Sequence, residues 1–244
     1  MSLPPFDTAH DPRSPLSWLA AAARLIGRLG PRYWLLLVLV LSGRAMLPFA
    51  PPGLVGEPAE LLFQFLVRFW MPYLFIRAMA REARPALPNL GFVFFAGLVL
   101  LFGLIEGALI AAAHALVLRG GASPEDMYRL VFAAEIAATA LTLRLLPLYA
   151  GTATGRLSPL ERNWWAGLRG AASLALFAAI VIVSGGASLL ERLLTAPVSA
   201  FELQAIALLH LQQLVVAAAF LFSGALALAA CNRCANLPPP EASR

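Results

Sequence analysis

Two long apolar segments, joined by a short polar loop, lie between residues 90 and 150 and constrain the fold more than any other feature. Each carries a glutamate deep in its apolar run, Glu106 in the first and Glu135 in the second. About 20 apolar residues are enough to cross a bilayer as a helix. An ionisable group at membrane depth is costly, so it needs a partner, a proton or a task. The pattern therefore predicts a helical membrane protein.

The composition of the chain supports this prediction. Of the 244 residues, 60% are hydrophobic and only 13% are charged, whereas soluble domains carry about 25% charged residues. All 18 basic residues are arginines, and they cluster at the ends of apolar segments, as membrane topology requires. The formal charge of +5 is therefore no sign of nucleic-acid binding, and the nucleic-acid-binding motifs are absent. The expected partners are the lipid bilayer and other membrane protein subunits.

The predicted fold is all-α, a polytopic bundle of about six membrane helices preceded by an amphipathic interfacial helix. Ser14 and Pro15 suit the start of that first helix, which covers residues 15–29. It suits either the bilayer surface or packing against the cytoplasmic ends of the other helices. The membrane helices are predicted at residues 33–49, 58–80, 89–118, 126–150, 164–190 and 200–230. Residues 1–13 are predicted to be disordered, 14–230 to form one membrane domain, and 231–244 to form a flexible tail.

The distribution of arginines predicts the orientation of the bundle. Arginines are concentrated in the N-terminal segment, in the loops after the second and fourth membrane helices, and in the C-terminal tail. The alternate loops are richer in acidic residues. Because cytoplasmic loops carry the excess of basic residues, both termini are predicted to be cytoplasmic. The predicted location is the inner membrane of a bacterium.

A layer of polar side chains is predicted inside the bundle. At about 1.5 Å per residue, four ionisable groups on different helices fall roughly 14–18 Å below the periplasmic surface. These four are Arg68, Glu106, Glu135 and His210. Gln64 shares a helix face with Arg68, and Gln213 shares one with His210. We predict that Arg68 forms an ion pair with Glu106 or Glu135.

Three interpretations of this layer remain open. The ion pair can fix the register of the helices, the layer can form a proton- or ion-coupled site, or His210 or His114 can bind a cofactor. Glu106 also lies between Gly103 and Gly107, a G-x-x-x-G pattern that permits close approach of another helix. Pro72 and Pro147 are predicted to interrupt the second and fourth membrane helices.

The two cysteines, Cys231 and Cys234, form a C-x-x-C pair near the C-terminus. A structural zinc site needs four ligands, and the sequence offers no other cysteine and no nearby histidine to complete one. Both are predicted to be free thiols, and neither a metal nor a cofactor is expected.

The segment LTLRLLPLYAGTATGRLSPLERNWWAGLRGAASLALFAAIVIV, residues 141–183, resembles a pattern in bacterial six-helix membrane proteins. The features are Arg144 and Pro147 at the end of the fourth membrane helix, a basic loop, and the stretch from Trp164 to Gly170. The pattern is similar to the membrane domain attached to some glycerophosphodiester phosphodiesterases and to the YciC-like proteins. The resemblance implies a six-helix fold and no catalytic residue in this chain.

The function predicted from the sequence is that of a non-catalytic accessory subunit or scaffold of a membrane complex. The chain contains no phosphate-binding loop, nucleophile elbow or H-E-x-x-H motif, so it is not expected to be an enzyme. The alternatives are a small transporter or channel that uses the polar layer, and an intramembrane cofactor-binding or lipid-handling protein. The two halves show no clear inverted repeat of the kind that many transporters have.

Overall fold

A computed structural model describes residues 12–46, 57–82, 89–120, 123–156, 168–194 and 203–235, and all structural statements concern these residues. They form α-helices, one π turn and one 3-10 turn, with no β-strand among them, which confirms the all-α fold class. Most of the segments predicted to be disordered or flexible, 1–11 and 236–244, lie outside the described residues.

The helices follow the predicted order with a few changes of boundary. They are α1 (Pro15–Ile26), α2 (Pro31–Met46), α3 (Glu57–Phe65), α4 (Met71–Met79), α5 (Leu90–Gly120), α6 (Pro124–Thr142), α7 (Leu146–Thr154), α8 (Ala171–Leu194) and α9 (Leu203–Ala235). The predicted flexible tail was wrong at its start, because α9 continues to Ala235. Cys231 and Cys234, on this last part of the helix, pack into the core.

Five helical segments among the described residues are long and apolar enough to cross a membrane, which fits a helical membrane protein. They are Leu61–Met79, Leu90–Arg119, Asp126–Thr154, Ala171–Glu191 and His210–Ala235. A sixth span requires α1 and α2 to count together, although their axes differ by 98°. The 16 residues of α2 extend about 24 Å, less than the roughly 30 Å hydrocarbon core.

Both prolines interrupt their helices as predicted. The π turn Leu66–Trp70 precedes Pro72, and Met71 N–H donates to Leu66 O, five residues back. The 3-10 turn Leu143–Leu145 precedes Pro147. Proline lacks an N–H and its ring clashes with the carbonyl four residues earlier, so the preceding turn must change its hydrogen-bonding pattern. Each helix nevertheless continues as one span.

Helix α1 is an integral part of the bundle. It packs against α8 and α9, and it buries Trp18, Ala22 and Leu25. The indole Nε1 of Trp18 donates a hydrogen bond to Pro12 O at 2.9 Å. The 12 residues of α1 extend only about 18 Å, so this helix alone is too short to cross a bilayer. Of the two interpretations of this segment, the structure shows packing against other helices.

The core of the bundle lies towards one end. The stretch of α9 from Ala225 to Cys231 is almost completely buried among α1, α2, α4, α7 and α8. Beside it lies an aromatic cluster in which Tyr73 meets Phe92 with ring centroids 5.0 Å apart. Farther from this end, α5, α8 and α9 expose large apolar side chains, as expected for surfaces that face lipid or another membrane protein.

The start of α5 is fixed to α4 and α7. Asn89 caps α5, because its Oδ1 accepts a hydrogen bond from Phe92 N–H at 3.0 Å. The same oxygen accepts one from the Tyr73 hydroxyl at 3.4 Å. Gly91 lies so close to α7 that a Cβ there would be 2.8 Å from Thr152 O. A side chain at position 91 is therefore excluded unless the helices separate.

Candidate functional site

The structure does not gather the predicted polar layer into one buried site. Arg68 and Glu106 both lie on the exposed surface of the chain, so the prediction that these two side chains are buried was wrong. Arg68 forms no ion pair with Glu106 or Glu135 among the described residues. A sequence fixes how far along a helix a residue lies, but packing decides whether another helix covers its side chain, and here both side chains are exposed.

The depths of Arg68 and Glu106 also differ. Tyr73 contacts Phe92, so these residues share a level in the bundle. Arg68 lies five residues before Tyr73 and Glu106 lies fourteen residues after Phe92, in the same direction along the bundle. At 1.5 Å per residue the two side chains are therefore roughly 13 Å apart along the helix axes. Helix α5 is therefore shifted along the bundle relative to α4. A count from the predicted helix ends did not include this shift.

The other members of the predicted layer are partly buried. Glu135, His210, Gln64 and Gln213 all have intermediate exposure. Gln213 Oε1 is buried and accepts no hydrogen bond from the described residues. Its neighbour Gln212 donates to Glu191 Oε1 at 2.9 Å and so links α9 to α8. These groups lie on three separate spans, and their common role stays a prediction.

Neither histidine lies in a recognisable cofactor site. His114 Nδ1 is 3.0 Å from Ile110 O, one turn earlier on the same helix. His114 is on α5 and His210 is on α9, two helices that are not main packing neighbours. In the described part of the chain, no group of three or more His, Cys, Asp or Glu side chains is arranged to hold a metal ion. Cys231 and Cys234 are buried free thiols, as predicted.

Glu106 is exposed, although it lies on the same stripe of α5 as the buried Phe95, eleven residues before it, and the buried Ala113, seven residues after it. Gly103 lies three residues before Glu106 and Gly107 directly follows it, and a Cβ on either glycine would have no neighbour within 4 Å. We call these three residues, Gly103, Glu106 and Gly107, the α5 face. Helix α5 contributes the span Leu90–Arg119, yet only 6% of its most apolar stretch is buried inside the chain. The corresponding share for α9 is 50%.

A second polar feature is a group of arginines at the end of the bundle where α1, α4, α7 and α9 terminate. Arg156 Nη2 lies 3.2 Å from Glu82 Oε1 and also donates to Ala80 O at 3.1 Å. Its Nη1 donates to Asn232 Oδ1 at 2.6 Å. One guanidinium thus joins the ends of α4, α7 and α9.

Arg28 lies near three other arginines, Arg24, Arg81 and Arg156. Partial burial and the neighbouring charges of Arg81, Arg24 and Arg156 lower the pKa of the Arg28 guanidinium from its usual value. We call Arg24, Arg28, Arg81 and Arg156 the basic cluster. The sequence analysis assigned these arginines only to membrane topology. Their common position after helix ends on one predicted side was the available signal that they meet.

Arg77 is a buried arginine that the sequence analysis did not single out. It is only 7% exposed. Its Nη1 donates to Ala153 O at 2.9 Å, which joins α4 to α7, and its guanidinium lies 5.4 Å from the centroid of the Tyr73 ring. Such a cation placed over an aromatic face is stabilised by the ring quadrupole. Arg77 thus has a structural role in the core near the basic cluster.

Comparison with protein-family models, with curated proteins and with solved structures finds no match to this chain. The resemblance of residues 141–183 to bacterial six-helix membrane proteins therefore stays a prediction.

Proposed function

We propose that this protein is a non-catalytic accessory subunit of a membrane complex, and that its α5 face binds a transmembrane helix of a different subunit. The observation that carries the proposal is the exposure of α5. This helix is long enough to cross the membrane, but its own chain buries only 6% of its most apolar stretch. A partner helix supplies the missing packing surface.

The charge of Glu106 favours a protein partner over lipid. Glu106 lies 16 residues from the start of α5 and 14 from its end, close to the middle of the span. A carboxylate that faces lipid at that depth costs about 2.5–3.5 kcal/mol on the milder insertion scale. A basic or hydrogen-bond-donating side chain on a partner helix removes much of this cost.

The two glycines of the α5 face favour a helix as the partner. Small residues four positions apart let the backbones of two helices approach closely, which increases van der Waals contact in the membrane. Both Gly103 and Gly107 are open to the outside of the chain, so the bundle itself does not use this close approach.

A different subunit fits the α5 face better than a second copy of this chain. A two-fold axis along the membrane normal, passing through this face, brings the two Glu106 side chains together, and two like charges at close range repel. Arg68 is roughly 13 Å away along the bundle, so it does not match the depth of Glu106 in such a dimer. The best complement is a helix with an arginine, lysine or polar donor near its middle.

The proposal also includes location and orientation. We place the protein in a bacterial cytoplasmic membrane with both termini in the cytoplasm. The basic cluster supports this orientation, because arginines concentrate on the cytoplasmic side of membrane proteins. The proposal of a non-catalytic role rests on the lack of recognised catalytic motifs in the sequence.

The experiment compares three variants for the mass and composition of the complex extracted from native membranes in a mild detergent. Gly103→Leu blocks close approach on the α5 face, and Glu106→Leu removes the charge. Gly97→Leu is the matched control, because Gly97 is equally open and lies about 180° around the helix from Glu106. We expect the wild type and Gly97→Leu to co-purify with one partner in a fixed ratio, and both α5-face variants to lose it.

Three results would count against the proposal. A wild-type complex that contains only this chain in two copies would replace the different subunit with a homodimer. A monomer at native expression levels would remove the partner altogether. Equal loss in Gly97→Leu would mean that the substitutions act on folding rather than on the α5 face.

A further inference from the structure

An open apolar groove of about 690 Å³ lies between α1, α8 and α9. This volume is within the range typical of small-molecule sites. The groove is lined by the side chains and backbone of apolar residues and glycine, which are Leu19, Ala20, Ala23, Ile182, Val183, Gly186, Ala187, Leu190, Leu214, Val215, Ala218, Ala219 and Phe222. No lining residue carries a charge or a polar side chain, so an occupant must be apolar along this stretch.

One face of α1 leads from this groove to the basic cluster. Ala20 and Ala23 line the groove, and Arg24 lies four residues after Ala20, on the same face of the helix. All three are exposed, whereas Trp18, Ala22 and Leu25 on the opposite face are buried. Arg24 therefore lies one turn along α1 from the groove lining.

The basic cluster continues from Arg24 to the ends of the other helices. Arg28 is close enough to Arg24, Arg81 and Arg156 for each of their charges to act on it. The charges of Arg24, Arg81 and Arg156 each act unfavourably on the charge of Arg28, and a bound anion reduces that repulsion. Clustered arginines at the cytoplasmic surface attract anionic lipid headgroups.

We propose that the groove and the basic cluster together bind one anionic phospholipid. Its phosphate contacts Arg24 and Arg28, and one of its acyl chains lies in the groove between α8 and α9. An acyl chain needs no hydrogen bonds, which matches the apolar lining, and the charged headgroup matches the arginines farther along α1. This site is on α1, α8 and α9, so it is independent of the α5 face and of the partner proposed for it.

Gly186 offers a direct way to block the groove. It lines the groove, and a Cβ at this position would have no neighbour within 4 Å, so Gly186→Leu fills the groove without an internal clash. Ala20→Leu fills it from the opposite wall. Gly97→Leu, at an equally open glycine on α5, is the control for added bulk.

Charge is tested separately from shape. Arg24→Gln and Arg28→Gln remove the proposed headgroup contacts. Arg169→Gln removes the same charge from an exposed position just before α8 and serves as the control.

Each full-length variant is purified in detergent and titrated with phosphatidylglycerol or with phosphatidylcholine of identical acyl chains. Native mass spectrometry then counts the bound lipids, with glycerol phosphate added as a soluble competitor.

We expect the wild type to retain one phosphatidylglycerol in preference to phosphatidylcholine. Removal of each cluster arginine should weaken phosphatidylglycerol binding about fivefold, from the contribution of one basic residue near an anionic lipid surface. Gly186→Leu and Ala20→Leu should reduce the binding of both lipids. Arg169→Gln and Gly97→Leu should bind like the wild type, and glycerol phosphate should not compete.

Two kinds of result would contradict the proposed lipid site. Equal retention of the two lipids, or unchanged binding in both groove variants, would mean that only annular lipid surrounds the protein and would overturn the proposal. Competition by glycerol phosphate as strong as that by lipid would show a site for soluble phosphate instead. A groove variant with a lowered melting temperature is set aside in favour of the other, because the two enter from different helices.

Discussion

Arg156 and Arg81 show how single residues stabilise the basic end of the bundle. Arg156 follows α7, and it bonds to Glu82 and Ala80 O after α4 and to Asn232 near the end of α9. Arg81 terminates α4 in the left-handed region at φ 56°, a conformation that costs a non-glycine residue about 1–2 kcal/mol. The N–H of Glu82 bonds back to Arg77 O and completes this helix end. Position 81 thus holds an arginine in a backbone conformation that glycine adopts with less strain.

Arg156→Leu should destabilise the protein by about 1–3 kcal/mol, because it leaves Glu82 and Asn232 without their charged partner in a partly buried setting. The measurement is the unfolding transition of the detergent-solubilised protein, followed by tryptophan fluorescence. Arg169→Leu removes an exposed arginine near the same end and should change stability by less than about 0.5 kcal/mol. Equal effects of the two would mean that the Arg156 contacts contribute little.

Gly91→Ala should destabilise the contact between α5 and α7. The new methyl group would meet Thr152 O at 2.8 Å and Asn89 Oδ1 at 3.1 Å, and a backbone carbonyl cannot move aside easily. We expect a loss of about 1–3 kcal/mol, as for other overpacked sites. Gly97→Ala, on the same helix in open space, should be neutral or stabilising by up to about 1 kcal/mol. A similar melting temperature for both variants would contradict the close α5–α7 contact.

At the scale of whole helices, the prediction agreed best where local chemistry decides the outcome, as at the start of α5 and at the two interruptions. Helix α8 instead begins at Ala171, not at the predicted residue 164. Asn89 and Ser123 cap α5 and α6. Pro72 and Pro147 produce the π and 3-10 turns, since their missing N–H groups act within one turn. The continuation of α9 to Ala235 depends on burial among other helices, which local sequence does not reveal.

Ala22→Leu should test whether α1 is part of the packed bundle. Ala22 is completely buried between α1 and its neighbours, so the larger side chain has no space. We expect a destabilisation of about 1–3 kcal/mol. Ala20→Leu adds the same atoms to the exposed face of α1 and should change the free energy of unfolding by less than about 0.5 kcal/mol. An unchanged stability of Ala22→Leu would mean that α1 lies on the surface of the bundle instead.

At the scale of the molecule, orientation is the simplest prediction to check. We expect the two termini on the cytoplasmic side, because the basic cluster gathers arginines from α1 and from the ends of α4 and α7 on one end of the bundle. A reporter enzyme that works only in the cytoplasm should be active when it is fused before Ser2 or after Arg244, and a reporter that works only in the periplasm should be inactive there. Periplasmic activity at either terminus would overturn the orientation or the number of spans.

The candidate site was less predictable than the fold. Membrane depth follows from counting residues, but the exposure of Glu106 and Arg68 follows from which helices lie beside these two positions. The basic cluster has the same origin, because Arg28 and Arg156 are far apart in sequence and meet only through packing against α9. The G-x-x-x-G pattern around Glu106 was visible in the sequence, whereas its openness to a partner is a property of the folded chain.

The proposed role of the α5 face is tested most directly by photo-crosslinking in native membranes. A photoreactive residue replaces Ile110, which lies beside the α5 face, one turn after Glu106. In the control it replaces Leu101, an exposed residue about 180° around the helix from Ile110. We expect position 110 to crosslink to one different protein, position 101 to react mainly with lipid, and Glu106→Leu to abolish the protein crosslink. Crosslinking of lipid alone from both positions would contradict a partner on this face.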